Sequence, residues 1–406
     1  MTAESQPISR ATGAPALAAT ERYEVERGPH NLEGITSIVV SPVDVRATTS
    51  PTVIVSGQRR KTLRRKFIQV LSMSQIEPTL SQSMSFQAPI LVRSLAQLAT
   101  SFGGFFATCA AMYLCLAVSL WVALPMSVIA AGFLVRIFII QHDCGHGSFF
   151  KSRRANDLIG TLCSLMTLTP YAFWRRQHAR HHGSWNNLDR RAASGLDIYS
   201  SCMTVVEYRA LTRWRRGIVR LTNHPIVANL LLPPIVFIFL YRTPFDAGKG
   251  WRRERYALYL TNIALAGLIG GLGFVLGYGR VAEVQLPTMV VASIAGVWLF
   301  SVQHRFEHAF WAPNASWDFT AAALRSTSYL YLPRILQWFT GNIGFHHVHH
   351  VNPRIPNYRL EECHNANLEF QSVPKLTLRA ALRGLRHTLW DSELQRLVPF
   401  RSAAAR

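Results

Sequence analysis

"FGGFFATCAAMYLCLAVSLWVALPMSVIAAGFLV", residues 102–135, carries no charged side chain over its whole length. A helix needs about 20 apolar residues to cross the hydrocarbon core, so this run is long enough to cross twice. Pro125 lies inside it. The stretch therefore predicts a helical hairpin that turns near Trp121 to Pro125, with spans at roughly 102–120 and 123–141. Working outward, Tyr256 to Tyr278 and Leu286 to Gln303 are two further apolar runs, joined by the short polar link "GRVAEVQ". They predict a second hairpin, with spans at roughly 256–278 and 286–303. A weaker run, Ile226 to Tyr241, is close to the minimum spanning length and has Pro233 and Pro234 at its centre. The composition agrees. Of 406 residues, 49% are hydrophobic and 16% charged, and the mean hydropathy of +0.13 is too high for an ordinary soluble chain of this size.

The net charge is +21, and its distribution carries orientation, because basic residues flanking spans mark the cytoplasmic side. "RRKTLRRK" (Arg59 to Lys66) precedes the first hairpin. Arginines 175, 176, 180, 190, 191, 209, 213, 215, 216 and 220 follow it, opposed by Asp189, Asp197 and Glu207. Both flanks of the first hairpin are thus expected in the cytoplasm. Attraction of these segments to anionic lipid accounts for the charge without nucleic acid binding. The six cysteines contain no CxxC pair and read as reduced thiols. The N-terminus is polar with no apolar core, which predicts no secretory signal. The expected organisation is a flexible, basic-ended tail over 1–66, a membrane domain over 67–370 and a cytoplasmic C-terminal tail over 371–406.

Eleven of the 15 histidines fall in four places: His142 and His146; His178, His181 and His182; His304 and His308; and His346, His347, His349 and His350. The i, i+4 and i, i+3, i+4 spacings put His142 with His146, His178 with His181 and His182, and His346 with His349 and His350 on single helical faces. His347 falls on a different face. Groups of one site lie on one side of the membrane, so an even number of crossings must separate the early clusters from the late ones. Three apolar runs intervene. The proline-broken one, Ile226 to Tyr241, is flanked by Arg220 and by Arg252, Arg253 and Arg255, and is predicted to be re-entrant or interfacial. That leaves four spans and all the clusters on the cytoplasmic face. Imidazole is the commonest metal-ligand side chain, and eight in these three spaced groups exceed the needs of one ion, which points to two. Few acids accompany them: Asp143, Asp189 and Glu307. Neutral ligands leave an iron pair electrophilic, which suits attack on an unactivated C–H bond.

"HDCGH", "HARHH" and "HHVHH" resemble the three histidine boxes of membrane fatty acid desaturases, in the same order and the same relation to two hairpins. The resemblance covers roughly Pro89 to Phe370, and "HHGSWNNLD", "VQHRFEHAFW" and "GNIGFHHVHHVNPRIPNYRL" are similar to the delta-12 and omega-3 acyl-lipid type. It implies an all-α integral membrane protein of two transmembrane hairpins with a cytoplasmic helical cap holding a di-iron site. It implies an O2-dependent oxidoreductase that inserts a cis double bond into a fatty acyl chain, presented as an acyl lipid or an acyl thioester. The implied ligands are His142, His146, His178, His181, His182, His346, His349 and His350, with His304 as a ninth. Asp143, Asp189, Glu307 and Asn342 are candidates for hydrogen bonds that orient those imidazoles. His308 has no assigned role beyond a supporting or surface position.

The chain has no haem-binding segment, no cysteine set for an iron–sulfur cluster and no GxGxxG fingerprint, so an external donor of ferredoxin or cytochrome b5 type is expected. Two alternatives stand beside this reading. A histidine-rich di-iron hydroxylase of alkane or carotenoid type would use the same ligands and differ only in where the substrate carbons sit. A metal transporter is the alternative from another class, but transport sites sit near the bilayer midplane, and these spans are almost uncharged there.

Overall fold

The computed structural model describes residues 80–191 and 202–404. The expected tail over 1–66 lies outside them. Among the described residues, four helices are long and apolar enough to cross a membrane: α1 (Leu91–Cys115), α2 (Met126–His146), and two later ones introduced below. A one-turn helix, Leu120–Ala123, capped by the Ser119 hydroxyl, and then Pro125 separate α1 from α2. α1 begins eleven residues earlier than the expected 102 because Leu91–Ser101 continues the same helix. At its other end α2 stops at Gly147, whose φ of 71° is a left-handed C-cap that a side chain would strain. The chain turns there into α3 (Arg153–Thr167), capped by Ser152, and α4 (Tyr171–Ser184).

Past the undescribed segment, α5 (Arg213–Thr222) presents Trp214, Ile218 and Leu221 to the outside, and the next stretch, Val227–Arg242, is bent from it by 54°. A π-helical turn, Val227–Leu231, leads into α6 (Leu232–Ile238), whose prolines sit in its first turn, where a missing N–H costs least. The third and fourth long helices are α7 (Arg252–Leu276) and α8 (Tyr278–His304), separated by Gly277 at φ 87°. The link "GRVAEVQ", expected as a loop, is the first part of α8. Its charged members Arg280 and Glu283 are exposed, so the helix extends past its apolar stretch and a single glycine makes the turn.

The four long helices are not equivalent. Of the apolar stretch of α2, 67% is buried, against 22% for α1 and for α7 and 44% for α8. α2 and α8 are therefore the inner pair, and Phe105, Met112, Leu134, Ile137, Met289 and Val302 from α1, α2 and α8 share one core. Beyond α8 the chain forms short elements, among them α9 (His346–Val351), every residue of which is buried. The described residues also form five short strands: β1 (Met203–Thr204), β2 (Tyr329–Leu330), β3 (Lys375–Leu376), β4 (Leu389–Asp391) and β5 (Arg396–Val398). β2 pairs parallel with β3, while β4 pairs parallel with β1 and antiparallel with β5. The region from 371, expected as a tail, is thus folded onto the domain, with Leu389, Trp390 and Leu397 almost fully buried. The six cysteines are all free.

Candidate metal centre

Four elements deliver nine imidazoles to one place. α2 carries His142 and His146 in its last turns, α4 carries His178, His181 and His182, α8 ends on His304, and α9 supplies His346, His349 and His350. Ring nitrogens of His142, His146, His178, His182 and His349 lie within 4.8 Å of one another, as do those of His181, His304 and His350. Between the two groups, the rings of His182 and His350 stack with centroids 4.3 Å apart. His346 closes the second group, its Nε2 standing 3.0 Å from Nε2 of His304 and 3.1 Å from Nε2 of His350.

Two observations indicate what the arrangement is suited to hold. First, the Nε2 atoms converge without enough protons to bond each other. Nε2 of His182 faces Nε2 of both His178, at 3.1 Å, and His349, at 3.0 Å, while Nε2 of His146 is buried with no hydrogen-bond partner. A neutral imidazole has one N–H and one lone pair, so such a nest is better satisfied by a shared cation than by its own protons. Nitrogens about 2.1 Å from one ion at right angles to each other are about 3.0 Å apart, which matches the observed spacing. Second, burial, and after it the repulsion of neighbouring imidazoles, holds His178, His182, His346, His349 and His350 well below the usual imidazole range. Their lone pairs are therefore free at neutral pH, as metal ligation requires.

Asp143 orients one member. Its Oδ1 lies 3.2 Å from His142 Nδ1, and its Oδ2 accepts from the backbone N–H of Asn357 at 2.7 Å and from Asn357 Nδ2 at 2.8 Å. Asn357 is held in turn by Gln97 of α1, whose Nε2 donates to its Oδ1 at 3.1 Å. A proton on His142 Nδ1, facing the carboxylate, leaves Nε2 as the acceptor. The other three candidates have different partners. Asp189 accepts from the backbone N–H of Asn314 at 2.7 Å, and Glu307 pairs with Arg396 at 2.6 Å. Asn342, at φ 57°, donates to the backbone carbonyl of Asn357 at 3.2 Å and so acts one step away from the imidazoles. His308 is exposed. His347 is fully buried but turns away from the cluster, with its Nε2 3.0 Å from Nδ1 of His364.

An apolar cavity of about 190 Å³ ends at these imidazoles. Val135, Phe138, Phe237, Val297 and Phe300 are among its walls, and His142, His178, His181 and His346 border it. Trp174 stacks on His178 with centroids 4.6 Å apart and planes 14° from parallel, and it also lines this cavity. A mostly apolar cavity with a few convergent polar groups is the usual form of a site for an apolar ligand.

Residues 119–379 match the sequence model of one protein family, described as fatty acid desaturase. This chain belongs to that family. A fatty acid desaturase of Bacillus subtilis is 40% identical over 321 residues, which cover 79% of this chain and 90% of the relative. More distant is an sn-1 acyl-lipid omega-3 desaturase (ferredoxin) of Synechocystis, 28% identical over 298 residues, covering 68% of this chain and 76% of that one. An sn-1 oleoyl-lipid 12-desaturase of the same organism is 26% identical over 266 residues, covering 61% of this chain and 68% of that one. Family membership makes the protein an oxidoreductase with fatty acyl substrates.

Two residues that support Asp143 were not singled out from the sequence. Asn357 lies within "IPNYRL", which carried the family likeness without an assigned role, and Gln97 sits in an apolar run with nothing local to mark it. Trp174 is 7% exposed and packs on a box histidine.

Proposed function

We propose that this desaturase introduces a cis double bond into a monounsaturated acyl lipid, of delta-12 (omega-6) type, using O2 and two iron ions held by His142, His146, His178, His181, His182, His304, His346, His349 and His350. The observation that carries the reading is the apolar cavity that ends on convergent, neutral imidazoles. Imidazole nitrogens with few carboxylates suit iron or another borderline transition metal rather than calcium or magnesium. Likeness to both Synechocystis enzymes supports an acyl-lipid substrate, and likeness to the 12-desaturase of the pair supports the delta-12 position.

Two irons, when bound, supply oxygen activation and cleavage of an unactivated C–H bond. The protein's contribution is placement. Phe138, Phe237 and Phe300 offer an acyl chain an apolar path along the cavity, which brings its carbons to the imidazole cluster. Asp143 holds His142 in the tautomer that directs Nε2 inward. The same walls exclude bulk water from the reacting carbons.

The membrane arrangement follows from where the histidines meet. His146 ends α2 and His304 ends α8, so both C-termini lie on one side, and α7 and α8 together make the two crossings between them. A full crossing by Val227–Arg242 would make the count odd, which favours a re-entrant path for that bent segment. We read α1 with α2 and α7 with α8 as two hairpins, with the histidine cap on the arginine-rich, cytoplasmic side. An external carrier of ferredoxin or cytochrome b5 type supplies electrons.

Expression in a host whose fatty acids are only monounsaturated, followed by mass spectrometry of double-bond positions, tests the proposal. A diene formed only in the presence of O2 supports it. Hydroxylated acyl chains, or no O2-dependent product, overturn it.

A further inference from the structure

Helix α4 has two working faces. Trp174, Gln177, His178 and His181 line the apolar cavity, while Ala172, Arg175, Arg176 and Ala179 line a second cavity, of about 360 Å³, on the other side of the same helix. The second cavity is polar. Arg153, Asn156 and Asp157 of α3, Glu254 of α7 and the end of α2 form the rest of its wall. His146 is among its lining residues, and it is one of the two cluster imidazoles, with His178, that are only half-buried in the first group.

The arginines at this cavity are held in place. Arg175 bonds to Asp157 at 2.5 Å and Arg176 to Glu254 at 2.8 Å. Arg153 stands freer, its side chain 82% exposed and 4.0 Å from Asp157, and the neighbouring Lys151 and Arg154 are exposed as well. Five cations against two acids leave this rim at +3 (5 − 2) at neutral pH. The patch offers positive charge in front of a metal-ligand candidate, and little apolar wall for a lipid chain.

We infer that an acidic, one-electron carrier protein docks over this cavity and passes its electrons in at His146. The inference rests on the desaturase reading above. Conversion of a CH2–CH2 unit to CH=CH gives up two electrons and two protons, and O2 needs four of each to become two waters. The carrier therefore supplies two electrons, one at a time, and two protons come from solvent. A carrier that delivers electrons whether or not an acyl chain fills the first cavity needs a route that the chain does not block. Opposite faces of α4 provide one. Of the cluster imidazoles, His146 is the one that lines the docking cavity. A positive rim also speeds encounter with an acidic partner and makes it salt-dependent.

The test uses the full-length, iron-loaded protein in phosphatidylcholine nanodiscs, with a plant-type [2Fe–2S] ferredoxin as probe. Binding is measured without turnover, and KM for reduced ferredoxin is measured with turnover. Arg153→Glu combined with Arg154→Glu is expected to raise both the Kd and the KM on the order of tenfold and to flatten their salt dependence. The kcat at saturating ferredoxin stays unchanged, and the double lysine variant keeps wild-type values. Arg213→Gln with Arg215→Gln, on α5, leaves both constants unchanged. Unchanged constants in the glutamate variant, or losses confined to the α5 variant, overturn the inference. So does a glutamate variant whose only change is in its response to phosphatidylglycerol added to the nanodisc, because the cavity would then serve a lipid head group. A wild-type protein that binds ferredoxin but forms no unsaturated product would instead defeat the functional reading.

Discussion

Asp143→Asn removes one charge and no volume, and its effect can be worked from the three contacts of the carboxylate. Asp143 is 2% exposed and accepts on one side from His142 Nδ1 at 3.2 Å and on the other from Asn357 N and Nδ2 at 2.7 and 2.8 Å. An amide has one accepting end. If it keeps its oxygen toward Asn357, its NH2 meets His142 Nδ1, which must then become the acceptor and move its proton to Nε2, the atom that faces the cluster. If it turns the other way, the NH2 opposes two Asn357 donors. The first outcome disables a ligand, and the second leaves buried donors unsatisfied. Charged hydrogen bonds contribute about 1.5–3 kcal/mol each, and an unsatisfied buried donor costs about 1–3 kcal/mol, so a stability loss of about 2–4 kcal/mol is expected. Loss of an orienting partner lowers metal affinity about 10–100-fold. Iron retained after timed exposure to a chelator, measured beside thermal denaturation of the metal-free protein, separates the two effects. An Asp143→Asn protein that keeps its iron as the wild type does would refute the orienting role, whatever its melting temperature.

Other outcomes follow from the same geometry. His349→Ala, which removes a member of the five-imidazole group, is expected to abolish detectable unsaturated product, whereas His308→Ala, at an exposed position, leaves product levels unchanged; quantitative lipid analysis of both would expose an error in the ligand set. Gly341→Ala puts a Cβ 2.8 Å from Ile139 Cγ2 and 3.1 Å from Asn357 Oδ1 at a φ of 53°. The left-handed backbone alone costs about 1–2 kcal/mol, so a lowered melting temperature together with weakened iron retention is expected, and an unaffected protein would mean the Gly341 turn can relax. The metal-free protein is expected to be acid-labile. His178, His182, His346, His349 and His350 are held neutral in the folded state and titrate near 6.5 when unfolded, so the unfolded chain binds more protons below that pH. Stability is therefore full above about pH 6.5 and falls by about 1.4 kcal/mol per pH unit for each such histidine as the pH drops further. A melting temperature that stays level or rises between pH 7.5 and 5.5 would contradict this.

Spacing and apolar run length carried much of the architecture because both are local. The runs that include Phe102 and Tyr256 coincide with helices long enough to cross a membrane, and the i, i+3, i+4 spacing separated His347 from His346, His349 and His350 correctly in space. Readings that required the chain to meet itself fared worse. Asp189 and Glu307 stand near histidine boxes in sequence, yet the first serves the Asn314 backbone and the second Arg396. Asn357, more than two hundred residues from Asp143, completes its hydrogen bonding. The region from 371 has weak local signals because two of its strands pair in parallel with distant ones, β4 with Met203–Thr204 and β3 with Tyr329–Leu330, that no turn brings near. Helix ends were misplaced where polar residues continue a helix into water, as at Arg280 and Glu283.

The central claim is that nine converging imidazoles form one two-metal centre. Iron per chain in the purified protein, determined by elemental analysis against protein mass, tests it most directly. The account predicts two irons per chain, falling to one or fewer in His349→Ala. A wild-type protein with one iron or none after reconstitution with excess ferrous iron would contradict it.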